Sequence, residues 1–105
     1  MQSTPYRLFL DDLRDPPDAT WVVARSFEEA VNIIAISGCP EFISFDHDLG
    51  PGRTGYDLAH WLVQQDLDRK ILQPGFHFQV HSANPVGARN ITCLLDRYLT
   101  FRRDP

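Results

Sequence analysis

Three short apolar runs in this 105-residue chain end abruptly in groups that do chemistry. Leu8-Phe9-Leu10 runs into Asp11-Asp12, Phe42-Ile43-Ser44-Phe45 into Asp46-His47-Asp48, and Phe76 to Val80 into His81-Ser82. Two carboxylates a few ångströms apart repel, so one is driven to take up a proton or a cation. Four around one cavity make a divalent ion the natural occupant. Mg²⁺ takes one or two carboxylates together with water and phosphate oxygens, which suits Asp12 and Asp46. Asp11 or Asp48 would complete the sphere. The plain alternative is that these acids are helix caps and solvated loop residues, and it weighs more for Asp11 and Asp48, since neighbouring residues often point opposite ways.

Histidine titrates near neutrality and serves as proton donor or acceptor. His47 and His81, at neighbouring tips, would supply one of each across a shared cleft. His81 could instead join the ligands of a softer ion such as Mn²⁺ or Zn²⁺. Arg14 could grip a phosphate with its planar guanidinium, or pair with Asp15 or Asp18. Ser82 could bond a phosphate oxygen or cap the turn before Pro85. The candidate set is therefore Asp46, His47 and His81 for catalysis, Arg14 and Ser82 for phosphate, and Asp11, Asp12, Asp46 and Asp48 for metal. Arg53 and Arg89 are weaker candidates, His77 reads as exposed, and His60 as structural.

These tips meet only if the runs are neighbouring parallel strands, because open α/β sheets bind ligands at the carboxyl edge. Strands are expected at Tyr6 to Leu10, Trp21 to Ala24, Glu41 to Phe45 and Phe76 to His81. The last alternates strictly, with Phe76, Phe78 and Val80 on one side and His77, Gln79 and His81 on the other, which places it at or near a sheet edge. Ser26 and Glu29 have capping-box spacing and open a helix whose apolar face is Ala30, Val31, Ile33, Ile34 and Ile36, closed by Gly38. A second helix runs from Gly55 to about Asp66 behind a Thr54 cap. A third follows Asn84-Pro85 with Ala88, Ile91, Leu95, Tyr98 and Leu99 inward. Met1 to Pro5 and Phe101 to Pro105 read as loose ends. The order is β-β-α-β-α-β-α, and its weakest step is the first connection, a loop with Pro16-Pro17 where a helix would be expected.

The composition, 43% hydrophobic and 23% charged, is that of one ordinary folded domain over 1–105 with its core at about 6–99. A net charge of −4 argues against broad DNA binding. No apolar stretch is long enough to span a membrane and no signal peptide precedes the first strand, so the expected location is cytoplasmic. Cys39 and Cys93 are expected to be buried free thiols. Nine of the ten basic residues are Arg, and the one lysine is Lys70.

From Tyr6 to about Leu99 the chain resembles the receiver domain of response regulators. Asp11-Asp12 looks like the receiver's paired acids, Asp46 its phospho-accepting aspartate, and Ser82-Ala83 the small hydroxyl residue and alanine that end its fourth strand. The resemblance implies a flavodoxin-like three-layer sandwich. Here it would be truncated to a four-stranded, mostly parallel sheet with the fifth strand missing, and with it the receiver's phosphate-contacting lysine. Leu10-Asp11-Asp12-Leu13-Arg14, Phe45-Asp46-His47-Asp48-Leu49-Gly50 and Val80-His81-Ser82-Ala83-Asn84-Pro85 look more specifically like the cyclic-phosphate processing receiver family, found in bacteria and their phages. That resemblance implies metal-assisted hydrolysis of cyclic or terminal phosphates on nucleotides or RNA ends. Mg²⁺ is the expected cofactor, with Mn²⁺ as the other choice. The alternatives are a catalytically silent module that binds a nucleotide or a protein partner, and a phospho-accepting signalling receiver. A monomer or a dimer through the open edge strand is expected.

Overall fold

The first connection of the chain decides the architecture. It carries Pro16 and Pro17 and forms no helix, so β1 (Arg7–Leu10) reaches its neighbour β2 (Trp21–Ala24) through a loop. Beyond β2 the chain alternates regularly through α1 (Phe27–Ser37), β3 (Phe42–Phe45), α2 (Gly55–Arg69), β4 (His77–Val80) and α3 (Pro85–Arg102). The computed structural model describes residues 5–102. Of the expected loose ends, 1–5 and 101–105, residues 1–4 and 103–105 lie outside them.

The strands form one sheet in the order β2-β1-β3-β4, and every pairing is parallel. This is the receiver-like, flavodoxin-type α/β arrangement that the sequence led us to expect, with β4 at an edge. The strand order reverses between β1 and β3, which makes their carboxyl ends the place for a ligand crevice. Right-handed crossovers from β2 to β3 and from β3 to β4 run the same way across the sheet, so α1 and α2 fall on one face. The core confirms it. Leu8, Leu10, Ala24, Ile43 and Phe45 on the strands pack with Phe27, Ala30 and Ile34 of α1, Leu58 and Leu62 of α2, and Ile91 and Leu95 of α3.

A helix between β1 and β2 would cover the opposite face. Among the described residues none does, so they form two layers where a third was expected. The bare face carries Phe9, Trp21, Phe42, Ser44, His77 and Gln79, which cover one another. Phe9 meets Trp21 edge-on, Trp21 meets Phe42, and Phe42 stacks on His77 with centroids 4.4 Å apart. The Arg7 guanidinium lies 4.5 Å over the Trp21 ring.

Local signals set most helix ends. The Ser26 hydroxyl accepts the Glu29 N–H, but Glu29 reaches back to the N–H of Arg25, one residue before the cap. Thr54 and Asp57 form the full reciprocal box. Ile36 is 85% exposed, so the apolar face of α1 is narrower than its composition suggests. Phe101 and Arg102, read as part of a loose end, continue α3. Arg102 is held there by the Leu72 carbonyl and the buried Asp66 carboxylate, to which Tyr98 also donates its hydroxyl. Asp66 satisfies the Leu72 N–H too, tying the end of α2 to the turn that follows. Both cysteines are free as expected, but only Cys39 is buried and Cys93 is exposed.

Candidate functional site

Register carries the site. Leu10, Phe45 and Val80 are level partners across β1, β3 and β4. The ladder continues one step further, with Asp46 N–H on Leu10 O and His81 N–H on Phe45 O, both at 2.9 Å. Asp11, Asp46 and His81 therefore form the next row. Each stands two residues beyond a strand residue of the bare face, Phe9, Ser44 and Gln79, and alternation sends it to the same side. One ligand atom from each of the three lies within 4.8 Å of the others.

Asp11 is fully buried. Its Oδ1 accepts the backbone N–H groups of Leu13 and Arg14 at 2.9 and 2.8 Å, and its Oδ2 meets His81 Nε2 at 2.9 Å. Burial alone would raise its pKa; the Arg14 and Leu13 donors and the His81 ring outweigh it and hold the carboxyl below the ordinary value. Asp46 moves the other way. Burial first, then the Asp11 charge, raise its pKa against the His47 N–H, the His81 ring and the Ser82 hydroxyl. The pair thus contains one carboxylate held ionised and one that resists ionisation, which is the condition in which a cation is welcome.

Gly55 shows how tightly α2 is seated on this loop. A Cβ there would fall 1.9 Å from the Asp46 carbonyl oxygen. The Gly55 N–H bonds the His47 carbonyl.

The other predicted residues surround the trio without joining it. The Asp12 carboxylate lies towards Gly50, where a Cβ would stand 3.5 Å from Asp12 Oδ2. The His47 ring packs on Gly87 in the first turn of α3, and its Nδ1 meets Asp48 Oδ1 at 3.0 Å. Asp48 is exposed, its pKa lowered chiefly by the His47 ring, and it also takes the Asn84 amide. Arg14 donates to the His81 carbonyl at 3.2 Å and stands 4.0 Å from Asp11 Oδ2, not on Asp15 or Asp18. Those two acids pair with Arg25 and Arg7. Ser82 faces Asp46 and also accepts the Asn84 N–H.

Four residues had escaped attention as parts of the site. Phe9 stacks flat on the His81 ring, Ser44 meets His81 Nδ1 at 2.7 Å, and Gln79 donates to Ser44 at 3.0 Å. Arg25 braces the loop after β1 through the carbonyls of Asp11 and Arg14. Ser44, the one polar residue in an otherwise apolar strand, was the visible signal.

A parallel sheet in the order 2-1-3-4 with acids after β1 and β3 and a hydroxyl after β4 defines a receiver-like domain. The model of the cyclic-phosphate processing Receiver domain matches residues 6–97, and the chain belongs to that family. No curated protein matches the chain. One solved structure, described as a yeast Spc42 trimeric coiled coil fused to another structure, aligns with 98% of this chain and 85% of its own. It does so at 16% identity and a TM-score of 0.46, too low to carry an argument.

Proposed function

We propose that this domain hydrolyses a cyclic or terminal phosphate on a nucleotide or RNA end, with a divalent cation held by Asp11 and Asp46. The observation that carries this reading is the level row of Asp11, Asp46 and His81, whose donor atoms converge within 4.8 Å. The donor set fits a cation. Two carboxylates and an imidazole suit Mg²⁺ or, with His81 as a ligand, Mn²⁺. Asp12 is near enough along the chain to contribute through water. When bound, the cation offsets charge on phosphate oxygens.

The chain's own residues do the rest. Arg14, anchored beside Asp11 and His81, offers its remaining N–H groups to phosphate oxygens, and the Ser82 hydroxyl offers another. His47 is oriented by Asp48 at Nδ1, which leaves Nε2 to hand a proton to the leaving oxygen or to take one from water. Opening a cyclic phosphodiester adds one water across one P–O bond, and the released hydroxyl keeps the transferred proton.

The phospho-accepting alternative needs a cation where the receiver has lysine. Lys70, the one lysine, caps the far end of α2, whose 15 residues put about 22 Å of helix between it and the Asp46 loop. A silent binding module would keep the same site without turnover. Incubating the protein with 2′,3′-cyclic nucleotides, with and without Mg²⁺ or Mn²⁺, separates these readings. Product that is lost in His47→Ala and Asp46→Asn supports hydrolysis. Binding with no product under any metal supports the silent module, and stable labelling by acetyl phosphate supports the phospho-acceptor.

A further inference from the structure

We infer that Gln79 and Ser44 are positioning residues for His81, forming a polar chain along the bare sheet face that sets which ring nitrogen carries the proton. The inference rests on the reading of His81 as part of the site. Ser44 is fully buried, and its hydroxyl lies between two partners. The Gln79 side-chain amide donates to Ser44 Oγ at 3.0 Å, and His81 Nδ1 lies 2.7 Å from the same oxygen. An amide nitrogen only donates. Ser44 Oγ therefore accepts from Gln79 and turns its own hydrogen to His81 Nδ1. In the neutral ring the proton then sits on Nε2 and is donated to Asp11 Oδ2 at 2.9 Å. The buried Ser44 hydroxyl is then paired both as acceptor and as donor, as burial requires, while Gln79 lies at the exposed end of the chain.

The same four residues have a second arrangement, which becomes fully satisfied once a cation or a proton sits between Nε2 and Asp11 Oδ2. If the Gln79 amide turns over, its oxygen accepts the Ser44 hydrogen, and Ser44 Oγ accepts from Nδ1–H. The ring loses its proton at Nε2 and gains one at Nδ1, so its charge does not change. Nε2 then presents a lone pair to the row of Asp11 and Asp46. The first arrangement offers Asp11 a donor; the second offers a divalent cation or a proton a base. Phe9 holds the ring plane fixed in both, stacked at 4.5 Å with planes 4° apart. The outer partners of ligating histidines act in this way at metal sites generally, and losing one typically weakens binding about 10- to 100-fold.

The test is nitrogen NMR of protein labelled at histidine, where the two tautomers have distinct signatures. Zn²⁺ serves as a diamagnetic probe, and amide spectra report folding. The wild type without metal is expected to show His81 protonated at Nε2, and saturating Zn²⁺ to move the proton to Nδ1. Gln79→Glu, which can only accept, is expected to show Nδ1–H with no metal present. Ser44→Ala, a near-isosteric change, is expected to mix the tautomers and weaken Zn²⁺ about 10-fold or more. A folded Ser44→Ala and a folded Gln79→Glu with the wild-type tautomer would overturn the inference. The Gln79→Glu arm needs no cation. If Zn²⁺ fails to bind the wild type while that arm shifts the tautomer, the cation reading falls and the positioning chain stands.

Discussion

Phe9 and His81 lie face to face, ring centroids 4.5 Å apart and planes only 4° from parallel. Phe9 is on β1, two residues before Asp11, so one strand supplies both the surface that fixes the imidazole plane and the carboxylate that meets its edge. Phe9 is 6% exposed on a face that no described helix covers, and it packs against His81 and Trp21. Phe9→Ala should cost about 3 kcal/mol, the lower end for removing a buried phenyl, because neighbours on an open face can collapse into the gap. It should also free the His81 ring. Chemical denaturation reads the first effect and broadening of the His81 ring resonances the second. A variant with wild-type ring signals would show that Asp11 and Ser44 suffice to hold the imidazole.

Asp11 and Asp46 should make opposite contributions to stability as pH changes. Asp11 has a folded pKa below the ordinary carboxylate value, so its hydrogen bonds stabilise the fold above that ordinary value and the benefit is lost as pH falls through the folded pKa. Asp46 has a folded pKa above the ordinary carboxylate value, raised by burial and then by the Asp11 charge. Its contribution is present below the unfolded value and is lost as pH rises through the folded one. At neutral pH the ionised Asp46 carboxylate therefore weighs on the fold. Asp46→Asn should stabilise the metal-free protein at neutral pH by on the order of 1 kcal/mol, an effect that vanishes in acid. Denaturant melts at neutral and acid pH check it, and equal stability gains at both would contradict the sign.

If that repulsion is what a cation relieves, Mg²⁺ or Mn²⁺ should raise the melting temperature of the wild type and leave Asp46→Asn nearly unmoved. Binding only to the folded state adds about 2.7 kcal/mol at a hundredfold excess over Kd. Thermal melts across a metal titration measure this. A shift of the same size in Asp46→Asn would place the cation elsewhere.

The row of Asp11, Asp46 and His81 was legible because three apolar runs stop at a polar residue, and parallel register turns equal stopping points into neighbours. The same logic exposed β4 as an edge strand from its alternation. The bare face was half-legible: Pro16-Pro17 ruled out a helix in the first connection, but resemblance to a three-layer family argued for cover that the described residues do not supply. Gln79 and Ser44 stayed hidden because their role depends on cross-strand pairing, which no local pattern encodes. Asp66 was hidden for a related reason. Its partners Tyr98 and Arg102 come more than thirty residues later.

His47 depends on a glycine. A Cβ at position 87 would fall 2.3 Å from the His47 ring, inside any real contact distance. Gly87→Ala must therefore push the imidazole away from α3 or shift the first turn of that helix. The overpacking should cost about 1–3 kcal/mol, with the change in ring position as its distinctive consequence. If His47 transfers the proton, turnover of a cyclic nucleotide should fall in Gly87→Ala about as far as in His47→Ala, while metal binding at Asp11 and Asp46 persists. Parallel activity and calorimetric metal titrations read the two separately, and full activity in Gly87→Ala would remove His47 from the reaction.

Asp66 offers the control that separates fold from site. Its carboxylate is 2% exposed and takes hydrogen bonds from Tyr98, Leu72 and Arg102, at the opposite end of α2 from the Asp46 loop. Asp66→Ala leaves the Leu72 N–H and the Arg102 charge without their buried partner, and breaking such a pair typically costs about 3–5 kcal/mol. Tyr98→Phe removes one donor while the carboxylate keeps two, so its cost should be about 1 kcal/mol. Neither residue touches the row of Asp11, Asp46 and His81. At a temperature where both variants remain folded, metal affinity and turnover should match the wild type while the melting temperature falls, steeply for Asp66→Ala and slightly for Tyr98→Phe. A loss of metal affinity in folded Tyr98→Phe would mean that the two ends of α2 are coupled through the helix.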